Sequence, residues 1–218
     1  MSHVTDNPTT PEQATASTSS PVEKLRGWHS RGYVPHYDEP RLFQMLTFRL
    51  YDSLPQQKID HLNDPRLKLK TVQIRNALES CCDAGLGACY LRDPRIAALM
   101  QNALLHFDGE RYWLLAWVVM PNHVHVLAQF DCRFSVPSVL HSWKSFVAHH
   151  ANKLLGRSGP FWQREYFDRF IRNEEHYRNA VSYIEANPVK AGLAALPEEW
   201  RFSSALLRSF AEKSAPIA

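Results

Sequence analysis

The chain has 218 residues, of which 44% are hydrophobic and 22% charged, with a formal net charge of +3. That content describes one soluble domain able to bury a core. It contains no run of 18 apolar residues and no charged-then-apolar start, so membrane insertion and secretion are not expected and a cytoplasmic location is. The small net charge does not by itself announce a nucleic-acid binder. Cys81, Cys82, Cys89 and Cys132 form no Cys-x-x-Cys pair, which points to reduced thiols and neither a disulfide framework nor a structural zinc site.

Residues 1–22 are Ser, Thr, Pro, Asn and Gln with almost no large apolar side chains, a composition that reads as a disordered tail. The domain is expected over 23–210, with a short C-terminal tail at 211–218. From Leu25 to Tyr37 cations and aromatics alternate around Gly27 and Gly32. Arg26, Arg31 and Tyr33 belong to this stretch, which suits contact with phosphates and stacking on bases as well as packing over a sheet.

Leu42 to Leu50 reads as the first strand, closed by Asp52-Ser53-Leu54-Pro55. Residues 56–80 have helical composition interrupted at Asp64-Pro65. Gly85-Leu-Gly-Ala88 breaks the pattern, Cys89 to Arg92 is expected to be extended, and a helix over 94–107 starts with Asp93 as N-cap and Pro94 in its first turn. No residue of this half is picked as catalytic. Arg111 to Val119 is a second strand, and the short link Met120-Pro121-Asn122 makes the next one its antiparallel neighbour.

That next strand, His123-Val-His-Val-Leu-Ala-Gln-Phe130, is central to the reading. A side-chain period of two puts His123 and His125 on one face, a spacing that can bind one metal ion given further ligands from elsewhere. In a chain with 11 histidines two half-exposed strand histidines are the bland alternative. An amphipathic helix is expected over 136–155, ended by Gly156 to Pro160, and a strand over 161–171. Asn173 caps a helix near 174–187, with Glu174 and Glu175 at its positive end. Tyr177, Val181 and Ile184 make its apolar stripe; His176, Asn179, Tyr183 and Asn187 share another face. Core packing for Tyr183 and capping for Asn187 remain the plain alternatives. The order β-α-α-β-β-α-β-α implies an α+β fold with an antiparallel sheet of four to five strands and helices mainly on one face. Arg164, Arg169 and Lys190 are among cations scattered through these elements, a set that suits a groove following a DNA backbone, with a solvated mixed-charge face as the plain alternative for any one of them.

Val118-Val-Met-Pro-Asn-His-Val-His-Val-Leu127 followed by Tyr183-Ile-Glu-Ala-Asn-Pro-Val-Lys-Ala-Gly-Leu193 resembles the single-tyrosine HUH transposases. Arg31-Gly-Tyr-Val-Pro-His-Tyr-Asp38, Phe161-Trp-Gln-Arg-Glu-Tyr-Phe-Asp-Arg169 and Trp200-Arg-Phe-Ser-Ser204 sharpen the resemblance to the REP-associated tyrosine transposase branch. The resemblance implies a ferredoxin-like HUH core and Tyr183 as the nucleophile. It implies Mg²⁺ or Mn²⁺ held by His123, His125 and Asn187, and single-stranded or hairpin DNA of repetitive extragenic palindromes as partner. Arg26, Arg31, Tyr33, Arg164, Arg169 and Lys190 are the DNA-contacting candidates. The activity implied is nicking and rejoining through a 5′-phosphotyrosine. One departure stands out: many relatives carry glutamine one turn beyond the tyrosine, and here Asn187 precedes a proline. Two rivals stay open, a hairpin binder that no longer cleaves and a histidine-triad-like nucleotide hydrolase, although Leu127 takes the place of that family's next histidine. Monomer and homodimer are both compatible with the sequence.

Overall fold

In the computed structural model the described residues are 27–30, 35–38, 42–55, 57, 60, 64, 66, 73, 77, 79 and 84–214. Four strands form the central antiparallel sheet: β3 (Phe43–Arg49), β4 (Tyr112–Val119), β5 (His123–Phe130) and β6 (Phe167–Phe170), in the order β4-β5-β3-β6. Before them β1 (Gly27–Ser30) and β2 (Pro35–Asp38) make a separate antiparallel ribbon, and β2 lies beside β6. The described helices are α1 (Pro94–Leu105), α2 (Val136–Leu154), α3 (Glu174–Glu185), the single turn α4 (Asn187–Lys190) and α5 (Ser204–Ser214). The succession β3-α1-β4-β5-α2-β6 with β3 in the interior of the sheet is the ferredoxin-like arrangement expected.

Alternation along each strand divides the sheet into two faces. Leu46 and Phe48 of β3, Val124 and Val126 of β5, and Trp117 and Val119 of β4 meet α1 and α2 through Ile96, Met100, Leu140 and Trp143. On the opposite face Val118, Ala116 and Leu127 meet Ala180 and Ile184 of α3. The two crossover helices thus share one face as expected, whereas the elements after β6 cover the other. A bulge between Leu114 and Ala116 re-phases β4: Tyr112 and Leu114 pack on the α1/α2 side, and after one extra residue so do Trp117 and Val119.

Several boundaries follow from local chemistry. Asp93 caps α1 by accepting from the Arg95 amide, and Ser135 caps α2 by accepting from Ser138. Cys89 to Arg92 is not extended: Tyr90–Arg92 is a 3₁₀ turn closed by Arg92 N donating to Cys89 O at 2.8 Å. Of the strand expected over 161–171, Phe167–Phe170 is regular and Trp162 makes a single antiparallel bridge with Leu50, while this earlier stretch is also tied to α2. Trp162 Nε1 donates to Lys144 O at 3.0 Å, and Lys144 Nζ donates to Gln163 O at 2.6 Å. The helix expected to run to 187 ends at Glu185, two residues short, and α4 begins afresh at Asn187 with Pro188 in its first turn. α5 continues past the boundary expected at 210. Most of 56–80 and of the tail at 1–22 lies outside the described residues, as do Arg26, Arg31 and Tyr33. Among the described residues no helix is long and apolar enough to cross a membrane.

Candidate active site

On the sheet face covered by α3, the ladder between β3 and β5 sets Thr47 opposite His125 and Arg49 opposite His123. All four side chains are buried, His123 and His125 to 1% and 2% exposure. The plain alternative of half-exposed histidines therefore does not apply. Both rings turn the same edge towards one point, with the Nε2 atoms 3.1 Å apart.

Each ring is oriented from behind. Asn122 Nδ2 donates to Leu86 O at 3.0 Å, which fixes the amide so that its Oδ1 accepts from His123 Nδ1 at 2.8 Å. His123 Nε2 is thereby left as a bare lone pair. Thr47 Oγ1 lies 2.7 Å from His125 Nδ1; a hydroxyl both donates and accepts, so it serves either tautomer of that ring. Burial, followed by the nearby Arg49 guanidinium, pushes the His123 pKa down to about 3, although the Asn187 hydrogen bond opposes the shift. Its imidazole is neutral at physiological pH, the form in which histidine binds metals.

Asn187 completes the cluster from α4. It is 1% exposed. Its Nδ2 lies 3.4 Å from His125 Nε2, and its Oδ1 is buried without a hydrogen-bond partner. Nearby donors on a shared cation at about 2.1 Å and a right angle stand about 3 Å apart, which matches the imidazole pair. Two imidazole nitrogens and an orphaned amide oxygen therefore suit a divalent cation better than one another. Among the described residues no three His, Cys, Asp or Glu side chains gather into a metal-binding group, and the further donor they offer beside the imidazoles is the Asn187 amide oxygen.

Tyr183, from the last turn of α3, packs edge-on against His125 with ring centroids 5.4 Å apart at 76°. Its hydroxyl is screened from solvent, and Lys190 Nζ sits 5.8 Å from its ring centroid. The expected pairing of phenol, imidazoles and amide is thus met in space, although a helix break separates Tyr183 from Asn187. The DNA-contacting candidates divide. Arg169 and Tyr183 line one cleft and Lys190 lies over the Tyr183 ring, whereas Arg164 lines a separate cleft of about 450 Å³ with Lys144 and His141 of α2. Glu185 accepts from Ser204 Oγ at 2.7 Å and from Arg208, which ties α5 to α3 and occupies it structurally.

Thr47 and Arg49 enter the site from β3. The sequence held one signal for each: the single hydroxyl and the single cation of a strand that is apolar elsewhere except at Gln44, both in phase with the histidines. Asn122, read only as a turn residue, orients His123.

The family model described as "Transposase IS200 like" matches residues 93–187, a segment that holds both histidines and Tyr183 and ends at Asn187. Over that segment the chain is similar to the IS200-like transposases. A REP-associated tyrosine transposase of Escherichia coli (strain K12) is 31% identical over 112 residues, 49% of this chain and 62% of that protein. A putative REP-associated tyrosine transposase of Haemophilus influenzae is 26% identical over 101 residues, 41% and 57% of the two chains. The matched segments thus span somewhat less than two thirds of each curated relative. A solved structure of a REP-associated tyrosine transposase bound to a REP hairpin aligns with a TM-score of 0.49 at 20% identity, over 86% of this chain and 88% of that one.

Proposed function

We propose that the protein is a metal-dependent DNA strand transferase that nicks and rejoins single-stranded or hairpin DNA, with Tyr183 as nucleophile. The observation that carries this reading is the convergence of Tyr183, two inward-facing imidazoles and an unpartnered amide oxygen, within a stretch that matches a transposase family. The names of the curated relatives support palindromic DNA repeats as the substrate class.

A phosphodiester resists attack because its negative charge repels nucleophiles. Mg²⁺ or Mn²⁺, held by His123, His125 and the Asn187 oxygen, would supply charge neutralisation at the scissile phosphate. The protein's own residues do the rest. Asn122 and Thr47 hold the imidazole edges in place, and Lys190 sets a positive charge where negative charge gathers in the transition state. The Tyr183 oxygen forms a bond to phosphorus as the bond from phosphorus to the 3′ oxygen breaks. The phenolic proton is lost and a proton is gained by the departing 3′ oxygen, leaving a 5′-phosphotyrosine and a free 3′-hydroxyl. Attack by the 3′-hydroxyl of another strand reverses the step, restoring the phenol and joining the DNA without ATP.

A second reading, a hairpin-DNA-binding protein that no longer cleaves, draws on the screening of the Tyr183 hydroxyl from solvent. The two separate in one experiment. Single-stranded DNA of randomised sequence, mixed with the full chain and Mn²⁺, is expected to give a covalent DNA-protein band that resists denaturation and that Tyr183→Phe abolishes, a loss of at least about a thousandfold. A mobility shift with no covalent band assigns the protein to the second reading.

A further inference from the structure

A cleft of about 240 Å³ opens on the far side of Tyr183 from the helix break. Met45 of β3 and Phe167 of β6 line it from the sheet, Arg169 from the next outward position of β6, and His176, Asn179 and Tyr183 from three turns of α3, with the Glu79 carboxylate at its border. Its make-up is unlike the metal-ligand cluster next door. A flat apolar side chain and a thioether provide a surface to stack on. An amide offers one donor and one acceptor side by side, and a guanidinium offers a charge fit for phosphate. Asn179 and Arg169 are exposed and Phe167 and His176 partly so, so this surface faces a ligand or water rather than the core. The cavity is smaller than the 300–1,000 Å³ or so of clefts that take drug-sized molecules, a size suited to a single planar heterocycle. The β1-β2 ribbon runs along the same edge of the sheet, next to β6. A strand lying along that edge would reach the cleft on its way to Tyr183.

We infer that this cleft is a base-reading pocket: it receives one nucleobase next to the scissile phosphate, stacked on Phe167 and Met45, with its edge met by Asn179 and its phosphate by Arg169. The inference rests on the proposed strand-transfer function and names the feature that would give it a sequence preference. The spacing of His176, Asn179 and Tyr183 along α3 is explained in the same way. The nucleophile and the reading group are one turn apart on one rigid element, so the base that is read and the phosphate that is cut keep a fixed register.

The test sequences the DNA covalently captured by the full chain from a randomised single-stranded pool in Mn²⁺, aligned on the nucleotide linked to the protein. One position beside the linkage is expected to show a base preference of roughly tenfold or more. Asn179→Ala should bring that position to near equality while the other preferences stay. An unchanged preference in Asn179→Ala overturns the pocket and leaves the strand-transfer reading intact. A second measurement needs no cleavage: Tyr183→Phe is irradiated with 5-iodouracil-substituted single-stranded DNA and its cross-linked peptides are mapped. Cross-links at Phe167 or Met45 support the pocket even where no covalent phosphotyrosine forms, which would count against the catalytic reading alone. Cross-links confined to other segments overturn the pocket.

Discussion

The two faces of the central sheet are built from the same strands, yet they do opposite things. On the α1/α2 side β3, β4 and β5 contribute apolar side chains, and a polar contact at its centre is closed within the core. Trp143 Nε1 donates to Tyr112 Oη at 2.9 Å, and Tyr112 donates to Leu104 O at 2.8 Å. On the α3 side Ala116, Val118 and Leu127 pack against α3, and beside them stand Thr47, Arg49, His123 and His125, all buried. Burial there is expensive, because polar and charged groups lose water and regain only part of it as hydrogen bonds. One face supplies stability; the other spends part of it to hold a site in a fixed, water-poor setting.

The largest test of that division is Trp143→Ala. Deleting a ring that is 2% exposed and packs on Tyr112 and Phe48 should cost about 3–5 kcal/mol of unfolding free energy. Denaturant titration checks the loss, and Mn²⁺ affinity measured on the molecules that remain folded should be unchanged. A matching loss of affinity would mean that the faces are not separable.

Thr47→Val reverses the pattern. The swap keeps the shape of the side chain and removes the hydroxyl 2.7 Å from His125 Nδ1. Mn²⁺ affinity is expected to fall about 10–100-fold by calorimetry, as for other groups that orient a metal-binding histidine, with little change in the denaturation midpoint.

The smallest effect concerns pH. The native His123 pKa is pushed down to about 3, whereas in the unfolded chain it lies near 6.5. Above the unfolded value both states are neutral and the residue contributes no pH dependence. Below it the unfolded state takes up a proton that the native state refuses, so stability falls as pH drops from about 6.5 towards the native value, by at most about 1.4 kcal/mol per pH unit. Denaturation with chelator present, compared between the natural chain and His123→Gln, should show the shallower slope in the variant. Equal slopes would mean that His123 is not held neutral.

How much of this could be read beforehand differs by element. The histidine strand, α1 with its Asp93 cap and α2 were legible because period and capping signals agreed along each of them. The stretch before Phe167 was not. Its pairing with β3 is reduced to a single bridge between Leu50 and Trp162, beside bonds of Lys144 and Trp162 to and from α2 that form only once the chain has folded. α5 was missed altogether; what secures it is a tie from Ser204 and Arg208 to Glu185, distant in sequence.

By itself the sequence determined which side chains share a face: His123 with His125 through a period of two, and Tyr183 with Asn179 and His176 through the helical repeat. These are properties of local backbone geometry, which neighbouring residues settle among themselves. Only the tertiary structure decided that the two faces meet, that Thr47 and Asn122 stand behind the imidazoles, and that a break after α3 turns Asn187 towards them. Contacts between residues 62 or 78 positions apart depend on strand register and helix docking. No local pattern carries that information.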